Sequence, residues 1–108
     1  MINDRRKNKD RRGFKRYTVS IDIEWEGLIG RRKGTISDIS SFGCFVMCSG
    51  EVENGEAVKI YLPIADGMKA ELWGEVINHV YEIGFGLRFI KLSKPQKEVL
   101  EQLIEKIS

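Results

Sequence analysis

The chain has 108 residues, of which 42% are hydrophobic and 31% are charged, and its formal net charge is +2. This length fits one compact domain with a modest core. No apolar run approaches the roughly 20 residues of a membrane-spanning helix, and the basic start lacks the apolar stretch of a secretory signal. We therefore expect a cytoplasmic domain that does not interact with membranes.

Positive charge is concentrated at the N-terminus. Residues 1–16 hold eight arginines and lysines against two aspartates, a net charge of +6, whereas the rest of the chain carries ten basic and fourteen acidic residues, a net charge of −4. A block of like charge without apolar periodicity cannot bury itself. We interpret residues 1–16 as a flexible basic arm whose partner is an anion.

Six strands are predicted after the arm. Strict alternation of apolar and polar residues predicts the first over residues 17–26, and a turn bracketed by Gly27 and Gly30 follows it. Shorter apolar runs predict the others at 33–39, 42–48, 58–62, 69–79 and 82–90, with breaks at 53–55 and 63–67. Short strands at this spacing are typical of an antiparallel barrel or sandwich.

The apolar period changes to that of a helix over residues 94–107. Ser93 is the predicted N-cap, with Gln96 three residues later as its capping-box partner and Pro95 in the first turn. The predicted helix has one apolar stripe, which we expect to pack on the barrel; a partner helix or a membrane surface is the alternative. The stripe consists of Val99, Leu100, Leu103, Ile104 and Ile107.

The reactive side chains form no pattern typical of catalysis or metal binding. Cys44 and Cys48, placed in one strand, would lie roughly 13 Å apart, beyond the reach of a disulfide, so we expect reduced, buried thiols. His79, the only histidine, has no cysteine or serine partner at motif spacing. We predict that the protein is not an enzyme and has no metal or cofactor.

Two polar clusters, distant in the chain, are predicted to meet. Arg12 and Arg16 stand four residues apart before the first strand, and Asp38 lies at the end of the second. If these strands pair through a turn centred on Gly27, Asp38 comes opposite Arg16. Asp38 begins the segment DISSFG, which also contains Ser40 and Gly43. We therefore expect the arginines and this small polar loop to share one end of the barrel.

These residue types suit a guanine nucleotide. Arginine presents a planar fork that binds phosphate or the O6/N7 edge of guanine, and its flat face stacks on bases. Asp38 can accept hydrogen bonds from guanine N–H groups, Ser40 supplies a hydroxyl, and Gly43 permits a close backbone approach or a positive φ. Singly, the arginines could instead solubilise an edge strand, and the loop could be an ordinary turn.

The segments DRRGFKR and DISSFG resemble the two signature motifs of the PilZ family, R-x-x-x-R and [D/N]-x-S-x-x-G. GFGLRF is similar to the family's G-x-G-V-x-F, with Leu87 in place of valine. Both motifs, in this order, form a specific joint signal. The resemblance implies a mainly β fold: a six-stranded antiparallel barrel over residues 17–108, with the C-terminal helix at 94–107 and the R-x-x-x-R motif on the arm.

The resemblance also implies a receptor for the bacterial second messenger cyclic di-GMP. Arg12 and Arg16 would hold phosphate and one guanine, whereas Asp38 and Ser40 would contact the other guanine and nearby phosphate. Gly43 would shape the loop.

Arg11 and Trp73 enter as further ligand-binding candidates through the same resemblance. Arg11, directly before the motif, resembles family members that bind a self-stacked ligand dimer. Trp73 matches a family position that flanks the ligand, with a core or cross-strand aromatic as the alternative reading.

Ligand binding is expected to order the arm and to present a new surface to an effector protein in trans, with the receptor a monomer or weak dimer. Two alternatives remain open. A small barrel with a basic arm could bind single-stranded nucleic acid, although the net charge of −4 after the arm disfavours it. A PilZ-like module could act through protein contacts alone, although such relatives lack the arginine motif.

Overall fold

A computed structural model describes residues 15–108 as a closed antiparallel barrel of six strands with one helix. The elements are β1 (Tyr17–Gly27), β2 (Gly30–Ile39), β3 (Gly43–Met47), β4 (Ala57–Ala65), β5 (Met68–Val80), β6 (Gly84–Phe89) and α1 (Lys94–Ile107). Around the barrel the strands follow the order β1-β2-β3-β6-β5-β4. The predicted fold class is confirmed, and the first fourteen residues, most of the predicted arm, lie outside the described part.

The alternating pattern of β1 is what turns this strand into a wall of the barrel. Ile23 and Trp25 are buried, whereas Asp22 and Glu26 between and beyond them are exposed. β1 pairs with β2 along its length and with β4 at Glu24–Glu26, and the second pairing closes the barrel. Closure removes the unpaired edges that an open sheet would present.

The core fills the barrel interior around an aromatic pair. Trp25 and Phe85 are buried, and their rings meet edge to face with centroids 5.1 Å apart. Aliphatic side chains from every strand complete the packing, which is continuous from β1 to α1. Burial of this apolar area is the main favourable contribution to folding.

The predicted capping box of α1 is confirmed. Ser93 Oγ accepts from Gln96 N at 3.2 Å, and Gln96 Oε1 accepts from Ser93 N at 2.7 Å. Gln96 Nε2 also donates to Glu71 O at 2.7 Å, which ties the start of the helix to β5. Leu100 is buried and the C-terminal part of the stripe packs on the core, as expected. Within residues 15–108, no helix has the length and apolar character that crossing a bilayer would demand.

Two sequence-based predictions about strand ends were wrong. The β1–β2 turn is not centred on Gly27: Gly27 pairs with Gly30, so the loop is Leu28–Ile29. The predicted break at 63–67 begins too early, because β4 continues through Pro63 to Ala65. Proline is tolerated there because β1 pairs with β4 only at Lys59–Tyr61, so on that side the proline nitrogen needs no partner.

Gly84 and Gly86 offer a matched test of the β3–β6 packing. A Cβ at Gly84 would lie 2.1 Å from the Val46 carbonyl oxygen, at a φ of +154°, whereas one at Gly86 would meet its nearest neighbour at 3.5 Å. We expect Gly84→Ala to lower the free energy of unfolding by about 2 kcal/mol or more, and Gly86→Ala by less than about 1 kcal/mol. Urea denaturation measures both, and equal losses would contradict the described β3–β6 contact.

Candidate functional site

An ion pair joins the start of β1 to the end of β2. Arg16 Nη1 lies 2.6 Å from Asp38 Oδ1, and the two side chains are 58% and 31% exposed. Exposed pairs of this kind contribute roughly 0–1 kcal/mol to stability, so the contact orients the two groups more than it holds the fold together. The predicted meeting of Arg16 with Asp38 is therefore observed.

The route by which these residues meet differs from the prediction. Asp38 pairs with Thr18 rather than standing opposite Arg16, because the turn lies beyond Gly27 and a bulge between Thr18 and Ile21 shifts the register. The long arginine side chain spans the remaining offset, since diagonal neighbours on a sheet are within reach of long side chains. The register prediction was wrong while the contact it was meant to explain is present.

Ser40 is used inside the corner that connects β2 to β3. Its hydroxyl accepts from Phe42 N at 3.1 Å and from Gly43 N at 3.3 Å, and its own amide donates to Gly43 O at 2.8 Å. The residue is only 4% exposed. The serine of the second motif thus satisfies backbone amides that the tight turn would otherwise leave without partners.

Gly43 allows β3 to approach β6 closely. A Cβ at this position would lie 2.0 Å from the Leu87 carbonyl oxygen, a distance no side chain can occupy. Of the two reasons expected for a glycine here, the close backbone approach is therefore the observed one; Gly43 is not among the positive-φ glycines of residues 15–108. The motif residues Ser40 and Gly43 together set the shape of the corner beside Asp38.

Cys44 lies inside the barrel next to the charged pair. Burial raises the pKa of its thiol from 9.0 to about 12; the Asp38 carboxylate raises it further, and the Arg16 guanidinium opposes this. A thiol with such a pKa stays protonated at neutral pH and is a poor nucleophile. Cys44 and Cys48 are both free thiols, the first buried and the second half-buried.

Trp73 is not brought next to the ion pair. It lies on β5, which is separated from β2 by β3 and β6, or about 14 Å at the usual strand spacing. Its ring is 42% exposed, and Lys59 Nζ lies 5.3 Å from the ring centre. Arg11 and Arg12 lie outside the described residues.

Two lysines near the corner were missed in the sequence. Lys91 and Lys97 line a groove of about 550 Å³ together with Ser41 and Phe42 of the corner. They come from the end of β6 and from α1, and no local motif connects them to the corner. Only the packing of α1 beside that end of the barrel reveals them. Within residues 15–108, no three histidine, cysteine or carboxylate side chains are grouped so that they could hold a metal.

We expect Ser40→Ala to destabilise the protein by about 1–3 kcal/mol, because two buried amides lose their acceptor. Ser41→Ala is the matched control: Ser41 is the exposed neighbour in the same corner, and its replacement should change stability by less than about 0.5 kcal/mol. Thermal unfolding of the two variants compares them directly. Equal stability of both variants would contradict the structural role of the Ser40 hydroxyl.

The raised pKa of Cys44 predicts a loss of stability at alkaline pH. Its contribution is fully present below pH 9.0 and is lost as the pH rises toward about 12, because the unfolded thiol releases its proton first. Cys44→Ala should therefore flatten the decline in unfolding free energy above pH 9.0, measured by urea denaturation at several pH values. Lys59 and Tyr61, whose pKa values are also raised, are common to both proteins. An unchanged slope would contradict the assignment.

Comparison with known proteins agrees with the fold and with the order of the motifs. The family model of the PilZ domain matches residues 10–106. The PilZ domain of CeSA from a cellulose-synthesizing bacterium is similar in structure, with a TM-score of 0.69 and 20% identity over 85% of this chain and 96% of that one. No curated protein matches the chain.

Two longer proteins share the fold. PlzA of Borreliella burgdorferi, solved in complex with c-di-GMP, has a TM-score of 0.66 and 13% identity over 93% of this chain and 43% of its own. The Bacillus subtilis inhibitor of motility MotI/DgrA has a TM-score of 0.64 and 16% identity over 84% of this chain and 48% of its own. This chain thus spans less than half of either protein. From the match over residues 10–106, the chain belongs to the PilZ domain family, a family known for cyclic di-GMP receptors and composed of regulatory domains rather than enzymes.

Proposed function

We propose that this protein is a receptor for cyclic di-GMP, which binds where the arm meets the β2–β3 corner. The single observation that carries the proposal is the 2.6 Å contact between Arg16 and Asp38. It joins one residue from each of the two motifs at one end of the barrel. Family membership supplies the class of ligand, and the contact supplies a place for it.

The chemistry of the pair suits a cyclic dinucleotide. A guanidinium has five N–H donors in a fixed fork, so a contact through Nη1 leaves other donors for phosphate or for guanine O6 and N7. Asp38 is 31% exposed, and its second oxygen can accept from a guanine N–H. The Asp38 carboxylate orients the fork before the ligand arrives, which reduces the ordering cost of binding.

Arg12 is assigned to the ligand phosphates alongside Arg16, because both stand on the R-x-x-x-R motif. Charge supports this role: residues 1–16 carry +6, and the ligand carries two phosphates. Neutralisation by the ligand would let the arm close over the barrel end. We expect micromolar affinity, about −8 kcal/mol, because ordering the arm offsets part of the contact energy.

Ser40 and Gly43 are assigned to the shape of the binding corner. The Ser40 hydroxyl already accepts two backbone amides, so a direct contact with the ligand would require it to exchange one of them. Lys91 and Lys97, in the groove beside the corner, add positive charge for the ligand phosphates.

Arg11 and Trp73 have more distant parts in the proposal. Arg11 would slot against the added bases if a stacked pair of ligands binds, and the stoichiometry of a titration tests this. Trp73 would contact the ligand only if the bound molecule extends about 14 Å around the barrel from β2.

The proposed output is a change of surface at the site end of the barrel. An arm closed over the ligand presents groups that the ligand-free protein does not, and an effector protein reads this surface. The proposal implies a cytoplasmic location, where the messenger is made and degraded.

Arg16→Ala should weaken cyclic di-GMP binding by about 2 kcal/mol, roughly thirtyfold, because a charge-assisted fork is lost. Arg31→Ala is the matched control, since Arg31 is also about half exposed and also pairs with a carboxylate, Glu24, but lies by the hairpin loop at the other end of β1–β2. Isothermal titration calorimetry gives both affinities and the stoichiometry.

Wild-type affinity in Arg16→Ala would reject the assigned site. The absence of any heat from the wild-type protein would favour an interaction module without ligand binding. Tight, steeply salt-dependent binding of single-stranded nucleic acid together with indifference to cyclic di-GMP would favour the nucleic-acid alternative.

A further inference from the structure

The end of the barrel away from the candidate site carries exposed aliphatic side chains at the β1–β2 hairpin tip. Leu28 is 87% exposed and Ile29 is 66% exposed. Hairpin loops usually hold glycine, asparagine, aspartate or serine. Neither backbone has a positive φ, so the turn would accept polar residues equally well. Nothing in the fold of the hairpin requires two large aliphatic residues at this tip.

These side chains line a groove of about 530 Å³ whose other wall is the segment that leads into β4. Val52, which is buried, contributes apolar surface between the two walls. Glu56 joins the walls, because its Oε2 accepts from Leu28 N at 2.9 Å and its Oε1 accepts from Glu53 N at 3.0 Å. The groove is therefore held open by hydrogen bonds within the chain and is formed before any partner arrives.

The charges around the groove select its occupant. The lining contains three carboxylates, Glu51, Glu53 and Glu56, and no lysine or arginine. Glu56 is engaged with backbone amides, whereas Glu51 and Glu53 are exposed. An acidic rim repels nucleic acid and anionic lipid surfaces and attracts cations.

An apolar surface with an acidic rim complements a segment with aliphatic and basic side chains on one face. We propose that this groove docks a basic amphipathic segment of a protein partner, with Leu28 and Ile29 as the apolar contacts and Glu51 and Glu53 as the charged ones. The groove lies at the opposite end of the barrel from the Arg16–Asp38 pair. The proposal therefore holds whether or not the protein binds cyclic di-GMP.

The test uses the full chain without nucleotide and a short synthetic peptide of leucine and lysine that forms an amphipathic helix. A second peptide with glutamate in place of every lysine is the control. In amide spectra, the lysine peptide should shift residues 27–30 and 51–56 and leave the 40–43 corner unchanged, and the glutamate peptide should shift neither. Equal binding of both peptides, no binding of the lysine peptide, or shifts confined to the corner would overturn the proposal.

Variants then assign the contacts. Leu28→Ser combined with Ile29→Asn should weaken the lysine peptide about tenfold or more, because two aliphatic contacts are lost. Met68→Ser removes a side chain of similar exposure, 61%, at the β4–β5 hairpin and should leave affinity unchanged. Unchanged affinity in the double variant, or an equal loss in Met68→Ser, would overturn the assignment.

Glu51→Gln combined with Glu53→Gln provides a second test that leaves the apolar tip intact. It should weaken binding severalfold and flatten its dependence on salt, because attraction between exposed charges is screened by ions. Unchanged affinity and unchanged salt dependence would contradict the role of the rim. Sedimentation addresses the remaining occupant: a wild-type dimer that becomes monomeric in Leu28→Ser with Ile29→Asn would assign the groove to a second copy of the chain and overturn the proposal.

Discussion

The corner between Ser40 and Gly43 is the constraint on which the candidate site depends. The chain must leave β2 and enter β3 within these residues while both strands stay in a closed barrel. The buried Ser40 hydroxyl makes this possible by accepting two backbone amides, and Gly43 makes it possible by letting β3 approach the Leu87 carbonyl. With the corner formed, Asp38 is held at the end of β2 within reach of Arg16. The placement of the charges follows from backbone geometry, because an exposed ion pair is too weak to impose it.

The two ends of the barrel differ in charge, and this difference separates two kinds of partner. Arg16, Lys91 and Lys97 lie at the corner end, whereas the groove at the hairpin end is lined by carboxylates and no basic side chain. A small anion is attracted to the first end and a basic protein segment to the second. The closed barrel keeps these surfaces apart, since its strands pair continuously around the core. Two ligands of opposite charge can therefore bind the same small domain without competing.

The parts of the fold that depend on local patterns were predictable. The period-two alternation of β1 and the Ser93–Gln96 capping box were read from neighbouring residues, and both are present as expected. The register of β1 on β2 was not, because a bulge and a two-residue loop shift the pairing without leaving a signal in composition. Pro63 was read as a break, since its place in β4 depends on where β1 stops pairing.

The amino-acid sequence by itself determined the fold class, the strong positive charge of residues 1–16, and the two motifs that place the chain in its family. These properties reside in residue types and in their spacing along the chain. Only the tertiary structure decided that Arg16 contacts Asp38, that the Ser40 hydroxyl is used inside the corner, that Trp73 lies three strands away from β2, and that Leu28 and Ile29 face an acidic groove. The physical reason is that side chains from distant segments meet through strand register and barrel closure. Both arise from packing of the whole core rather than from any local stretch.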